Sequence, residues 1–153
     1  MSLGFGKPAL GVGLTATKLF RERFTYIAET SYLYFQDYKY DDGNRTQFGA
    51  EFRLNQALTY RLWTAPRWKF RLDAQLEADY LRLGRDKSNG SGEPATGGQI
   101  LYLLPGIRAY WRNTSLGLGV KLPTWTNLNE ESEQQGGEGK EDYRLICTLS
   151  LLF

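Results

Sequence analysis

Residues 68–80 read WKFRLDAQLEADY. Taken alternately, the stretch divides without a fault. Trp68, Phe70, Leu72, Ala74, Leu76, Ala78 and Tyr80 fall on one side, and Lys69, Arg71, Asp73, Gln75, Glu77 and Asp79 on the other. Strand side chains point to opposite faces in turn, whereas a helix would scatter these charges around its whole circumference. The stretch is a strand, and far longer than the ~5–6 residues of an average one.

The same pattern extends in both directions. In QFGAEFRLNQALTYRLW (47–63), Phe48, Ala50, Phe52, Leu54, Leu58, Tyr60 and Leu62 share a face that only Gln56 interrupts. Gln47, Glu51, Arg53, Asn55, Thr59 and Arg61 oppose them. LYLLPGIRAYW (101–111) sets Leu101, Leu103, Pro105, Ile107, Ala109 and Trp111 against Tyr102, Gly106, Arg108 and Tyr110. SLGLGVKLP (115–123) sets Leu116, Leu118, Val120 and Leu122 against Ser115, Gly117, Gly119 and Lys121. Near the start, Leu10, Val12, Leu14 and Ala16 oppose Gly11, Gly13, Thr15 and Thr17. FTYIAETSYLYF (24–35) is less clean, with Ile27, Leu33 and Phe35 on the face of Glu29. The closing DYRLICTLSLLF (142–153) places Tyr143, Leu145, Cys147, Leu149, Leu151 and Phe153 together, opposite Arg144, Thr148 and Ser150.

Seven strands follow, over about 8–20, 23–37, 46–63, 67–84, 98–112, 114–125 and 142–153. Their connections alternate. Short turns fall at FRER, TAPR and RN, and long polar loops at DYKYDDGNR, GRDKSNGSGEPATGG and TWTNLNEESEQQGGEGKE. Outer-membrane barrels distribute their connections in this way, with the short turns periplasmic. Phe20, Phe24, Trp63, Trp68, Trp111 and Phe153 gather at the short-turn ends. Tyr32, Tyr34, Tyr38, Tyr40, Tyr80, Tyr102, Trp125 and Tyr143 gather toward the long loops. Two aromatic girdles match the two interfaces of a membrane.

Composition narrows the function. The 153 residues fit a single domain, 1–153, and a net charge of +2 gives no reason to expect a nucleic-acid partner. No histidine occurs, which removes Ser-His-Asp triads, histidine metal sites and histidine acid–base catalysis. Cys147 is alone, so neither a disulfide framework nor a multi-cysteine metal site is available. No cofactor is expected, and an enzyme is the weakest reading. No apolar run is long enough for a transmembrane helix, but transmembrane strands do not need one. MSLGFGKPALG lacks the basic segment and apolar core of a signal peptide, so a trimmed start is expected.

Alternation alone does not say which face is inside. In a soluble ligand-binding barrel the apolar face lines the cavity, and in a membrane barrel it faces lipid. Strand length, girdles and loop asymmetry favour the membrane. The lumen is then predicted to hold Glu29, Glu51, Arg53, Arg61, Lys69, Arg71, Asp73, Glu77, Asp79, Arg108, Lys121 and Arg144. These residues either plug a narrow barrel with salt bridges or line a water-filled passage. Across the TAPR turn, Arg53 is expected opposite Glu77 or Asp79. Single-chain barrels have even strand numbers with both ends periplasmic. Seven strands therefore predict further strands before residue 1, or a second copy to complete the sheet.

Other patterns carry less. GFGKPALG has the glycines of a phosphate loop without its Gly-Lys-Ser/Thr ending, and reads as the start of a strand. Asp73, Glu77 and Asp79 are spaced ~6.6–6.8 Å apart along one strand face, too far for a catalytic dyad. The acidic run near residues 129–141 matches no EF-hand and reads as a solvated loop. Arg82 falls on the outward face near the long loops, where a lipid headgroup or water could meet it.

With these residues laid out, the chain resembles the C-terminal half to two-thirds of a Gram-negative outer-membrane β-barrel transporter family, that of the meta pathway of phenol degradation. The resemblance rests on FGKPALGVGLTATKLF, SYLYF, FRLNQALTYRL, GGQILYLLPGIRAYW, SLGLGVKLP and DYRLICTLSLLF. It implies an all-β, antiparallel up-and-down transmembrane barrel of about a dozen strands that passes small molecules. The last strand is similar to the signal read by the barrel-assembly machinery, which would make Tyr143, Leu149, Leu151 and Phe153 assembly determinants. The expected function is an outer-membrane channel or transporter, with outer-membrane lipid, the assembly machinery and a small solute as partners. The alternative is a plugged structural barrel, or a receptor or adhesion barrel acting through its long loops.

Overall fold

A computed structural model describes residues 7–129 and 142–152. In chain order the strands are β1 (Ala9–Phe20), β2 (Phe24–Phe35), β3 (Tyr38–Lys39), β4 (Arg45–Gln47), β5 (Glu51–Ala65), β6 (Phe70–Leu83), β7 (Lys87–Ser88), β8 (Ser91–Gly92), β9 (Gly98–Trp111), β10 (Thr114–Leu128) and β11 (Arg144–Leu151). The protein is all-β and antiparallel; among the described residues its one helical element is the single 3-10 turn Pro66–Trp68. Seven long strands form one sheet in the order β1-β2-β5-β6-β9-β10-β11. Its outer strands are β1 and β11, which are not paired with each other among the described residues. Six of the seven run to 12–15 residues, more than the ~9–11 that a tilted strand needs to cross a bilayer.

The faces expected from alternation persist across the sheet. One continuous row runs Leu58–Leu76, Leu76–Pro105, and the next runs Ala74–Ile107, Ile107–Leu118, Leu118–Cys147. A row of the opposite face runs Arg61–Asp73, Asp73–Arg108, Arg108–Gly117, Gly117–Thr148.

Strict parity fails at two β-bulges. Between Arg61 and Trp63 the register with β6 shifts, so that Trp63 opposes Leu72. Between Pro123 and Trp125 the register with β9 shifts, so that Trp125 opposes Leu101. Each bulge inserts one residue, Leu62 or Thr124, and so turns the following tryptophan onto the apolar face. Trp63 then packs on Phe70 with ring centroids 5.5 Å apart. With Ala65, Trp68 and Trp111 these rings line an apolar hollow of about 460 Å³ at the short-turn end.

The register corrects one expectation. Arg53 lies opposite Leu81, not Glu77 or Asp79, and its ion pair is with Glu51 on its own strand at 2.8 Å. The connection is longer than TAPR: Pro66–Trp68 forms the 3-10 turn and Lys69 closes it in the left-handed region at φ 49°. This places Phe70 opposite Ala65 and moves the partners along β6 by two to four residues. Lys69 is therefore an exposed turn residue, not part of the charged face. The expected strand 46–63 begins at Glu51 instead, because Thr46 and Gln47 pair elsewhere.

They belong to a second sheet, β3-β4-β7-β8, which joins the first two long loops. Asn89 and Gly90 make the tight turn between β7 and β8, at φ 50° and 82°. Positive φ at both central residues is what a two-residue hairpin turn demands, and Asn-Gly supplies it at least cost. Asn89 also bridges the loops: its Oδ1 accepts from Arg45 N at 2.8 Å, and its Nδ2 donates to Asn44 Oδ1 at 3.1 Å. Tyr38 and Tyr40 lie in or beside this small sheet, their rings 4.8 Å apart, and not in a girdle on the long one.

Candidate functional site: the charged face of the long sheet

The two faces differ in exposure in the reverse of a soluble protein. Leu14, Leu58, Leu76, Ile107, Leu118 and Leu149 on the apolar face are all exposed. The buried polar side chains among the described residues are Asp73, 4% exposed, and Ser115, 9% exposed, both on the charged face. Soluble monomers rarely expose apolar patches beyond a few hundred Å², and this one runs across seven strands. The candidate site is the charged side, where Asp73 is buried.

Its charges fall into three levels. At the short-turn end, Arg61 and Arg108 flank Asp73 from the neighbouring strands, and Arg71 Nη2 lies 3.1 Å from Asp73 Oδ2. The Arg71 guanidinium also covers the Tyr110 ring, 4.0 Å from its centre. In the middle, Gln75 Nε2 donates to Glu77 Oε1 at 2.6 Å, and Lys121 Nζ lies 3.4 Å from Asp79 Oδ2. Lys121 sits over Tyr102 as well, 4.1 Å from the ring centre, which places that tyrosine on the charged face and not in a girdle. Toward the long loops stand Glu51 and Arg53. The two partly exposed pairs, Glu51–Arg53 and Asp79–Lys121, contribute ~0–1 kcal/mol each, so they set the local field more than the stability.

Glycines open room between these groups. Gly106 pairs with Gly119, and Gly117 faces Arg108. With Gln75, Glu77, Arg108, Ile146 and Thr148 they surround a hollow of about 180 Å³. Polar donors, one carboxylate and apolar side chains meet there, as a small polar solute would require.

The expected lumen residues separate accordingly. Arg61, Arg71, Asp73 and Arg108 come together, Asp79 meets Lys121, and Glu51 meets Arg53. Glu29 stands between Thr15 and Asn55, exposed and away from the arginines. Glu77 keeps company with Gln75, and Arg144 opposes Lys121 near the start of β11. Tyr143, Leu149 and Leu151 are exposed, while Phe153 and the run 130–141 lie outside the described residues. Sequence reasoning missed the grouping of three arginines about one aspartate, since its only signal, the β5–β6–β9 register, depends on a bulge. Among the described residues no cluster of three or more metal-binding side chains occurs.

Comparison with known proteins adds one finding. No curated protein and no solved structure matches the chain. One family model does, over residues 1–136, ending before β11. It therefore spans six of the seven long strands and every charged-face residue of β2, β5, β6, β9 and β10. By that match the chain belongs to the family described as "Putative MetA-pathway of phenol degradation".

Proposed function

We propose that the protein forms part of the wall of an outer-membrane β-barrel through which small molecules pass along the charged face. The observation that carries this reading is the reversed exposure, with leucines outward and Asp73 enclosed. Such a sheet is unfavourable in water and favourable in lipid, where the backbone bonds internally and apolar side chains meet hydrocarbon. The tryptophans that the bulges return to the apolar face, Trp63 and Trp125, support it, because they lie near opposite ends of the strands. Closure requires partners for β1 and β11, which further strands or a second copy would provide. Tyr143, Leu149 and Leu151, with Phe153, serve as the assembly signal in this reading, and the lumen residues are those of the charged face without Lys69.

Two measurements test the reading. The full-length protein should migrate faster unheated than heated in detergent gels, and should conduct ions in planar bilayers. A water-soluble monomer that needs no detergent contradicts the membrane assignment. A folded barrel that passes neither ions nor solutes contradicts the passage. That last outcome would favour a receptor or adhesion barrel, a reading supported by the loop sheet and its polar hollow of about 270 Å³ between Tyr34, Asp37, Arg45 and Lys87.

A further inference from the structure

Resting on the reading of the charged face as a passage, we infer that Arg61, Arg71 and Arg108 form an anion-holding station at its short-turn end, selecting solutes that carry a carboxylate or similar planar oxoanion. The register assembles it. Arg61 opposes Asp73 and Asp73 opposes Arg108, so three adjacent strands, ~4.8 Å apart, present a cation, an anion and a cation in one row. Arg71 stands one step along the same face and makes the ion pair with Asp73. Three arginines thus share this part of the face with one aspartate, an excess of two positive charges, and Arg71 is the one that pairs with it.

The excess is local. On the rest of the face Glu29, Glu51, Glu77 and Asp79 meet Arg53, Lys121 and Arg144, four acids against three bases. The neighbouring short turns add the same sign, with Arg21, Arg23, Arg67, Lys69 and Arg112 against Glu22. One end of the passage is basic and the remainder is balanced.

One donor of each arginine is also unused. Nε of Arg61, Arg71 and Arg108 is buried without a hydrogen-bond partner, as is Asp73 Oδ1. Buried donors are nearly always met by protein, water or ligand, and three in one cluster mark a place where an acceptor belongs. The flat guanidinium fork suits a planar oxoanion, and Arg71 is held over Tyr110, 4.0 Å from the ring centre. Gly117 leaves space for Arg108, since a Cβ there would stand 3.2 Å from its Nε.

The test uses the full-length protein in planar bilayers under a potassium chloride gradient. The zero-current voltage should show chloride preferred over potassium. Arg61→Gln, Arg71→Gln and Arg108→Gln should each lower the chloride-to-potassium permeability ratio about twofold, and the triple variant should erase the preference. Asp73→Asn keeps the shape, removes the one negative charge and should move the ratio the other way. Potassium acetate should reduce the chloride current of the unaltered protein but not of the triple variant. Should the arginine variants fail to insert, the Asp73→Asn shift still decides. A conducting pore whose zero-current voltage ignores Asp73→Asn, or Arg108→Gln where it inserts, overturns the station and leaves the passage standing. Absence of any current overturns the passage, and the station with it.

Discussion

Leu76 and Asp73 lie three residues apart on β6, on opposite faces, and the sheet treats them in opposite ways. The leucine is 49% exposed and the aspartate 4%. In water that arrangement is unfavourable twice over, once for the wetted hydrocarbon and once for the enclosed charge. Both terms fall away if the apolar side meets lipid and the charged side meets ordered water and counter-charges. On the proposed reading, each face meets a different solvent. It also explains how a chain with 24% charged residues can build so long a sheet: each charge has a side reserved for it.

The sharpest way to break the comparison is to put the same charge on either face. Leu76→Arg should destabilise the folded protein in lipid vesicles by about 2–4 kcal/mol, the cost of arginine near the bilayer midplane. Gln75→Arg, one residue away and on the charged face, should cost under about 1 kcal/mol. Urea titrations of both variants would measure the difference. Equal costs would mean that the faces are not in different media.

A second experiment works from inside the charged face. Asp73→Ala removes the one acceptor among three guanidiniums and should cost about 1–3 kcal/mol in the same titration. The figure is held down by Arg71, which is 36% exposed and can be hydrated in place of its partner. A stabilising effect would show that the carboxylate is itself the strained member of the cluster.

Much of this was readable in the residue order. The seven strands of the long sheet and the division of faces follow from period-two patterning, and the short and long connections from the stretches left between them. What could not be read was anything that depends on one inserted residue. Alternation continues from Asp79 back through Lys69 as if the strand did too, yet Lys69 sits in a left-handed turn conformation that the pattern cannot register. Leu62 looks like one more apolar residue in sequence, while in the sheet it is the bulge that resets every partner beyond it. The grouping of Arg61, Arg71 and Arg108 rests on that register and was hidden for the same reason. The Asn89-Gly90 hairpin was missed: its stretch read as one long polar loop, although Asn-Gly is the pair that a two-residue turn favours.

The bulge can be tested where it re-aims a side chain. Trp63→Ala removes the ring that packs, tilted, against Phe70 and should cost about 1 kcal/mol. Thr64→Ala, its neighbour beyond the bulge on the charged face, should stay within about 0.5 kcal/mol. If parity held without the bulge, Trp63 would face inward and Thr64 outward, and Trp63→Ala would change the chloride-to-potassium ratio as well as stability. An unchanged ratio with reduced stability places the indole in the girdle.

The smallest effect should come from the loops and should stay there. Asn89→Ala removes the two side-chain hydrogen bonds that join the loops through Arg45 and Asn44. It also puts alanine at φ 50°, a conformation asparagine tolerates better. Because the site is exposed, the loss should be about 0.5–1.5 kcal/mol and confined to the small sheet. Hydrogen exchange should quicken at Arg45 and Asn89, whose amides bond across the two loops, while the long strands keep their protection. If β5 and β6 were to loosen as well, the loops would be clamping the long sheet, and the contrast between an anchored wall and an independent rim would fail.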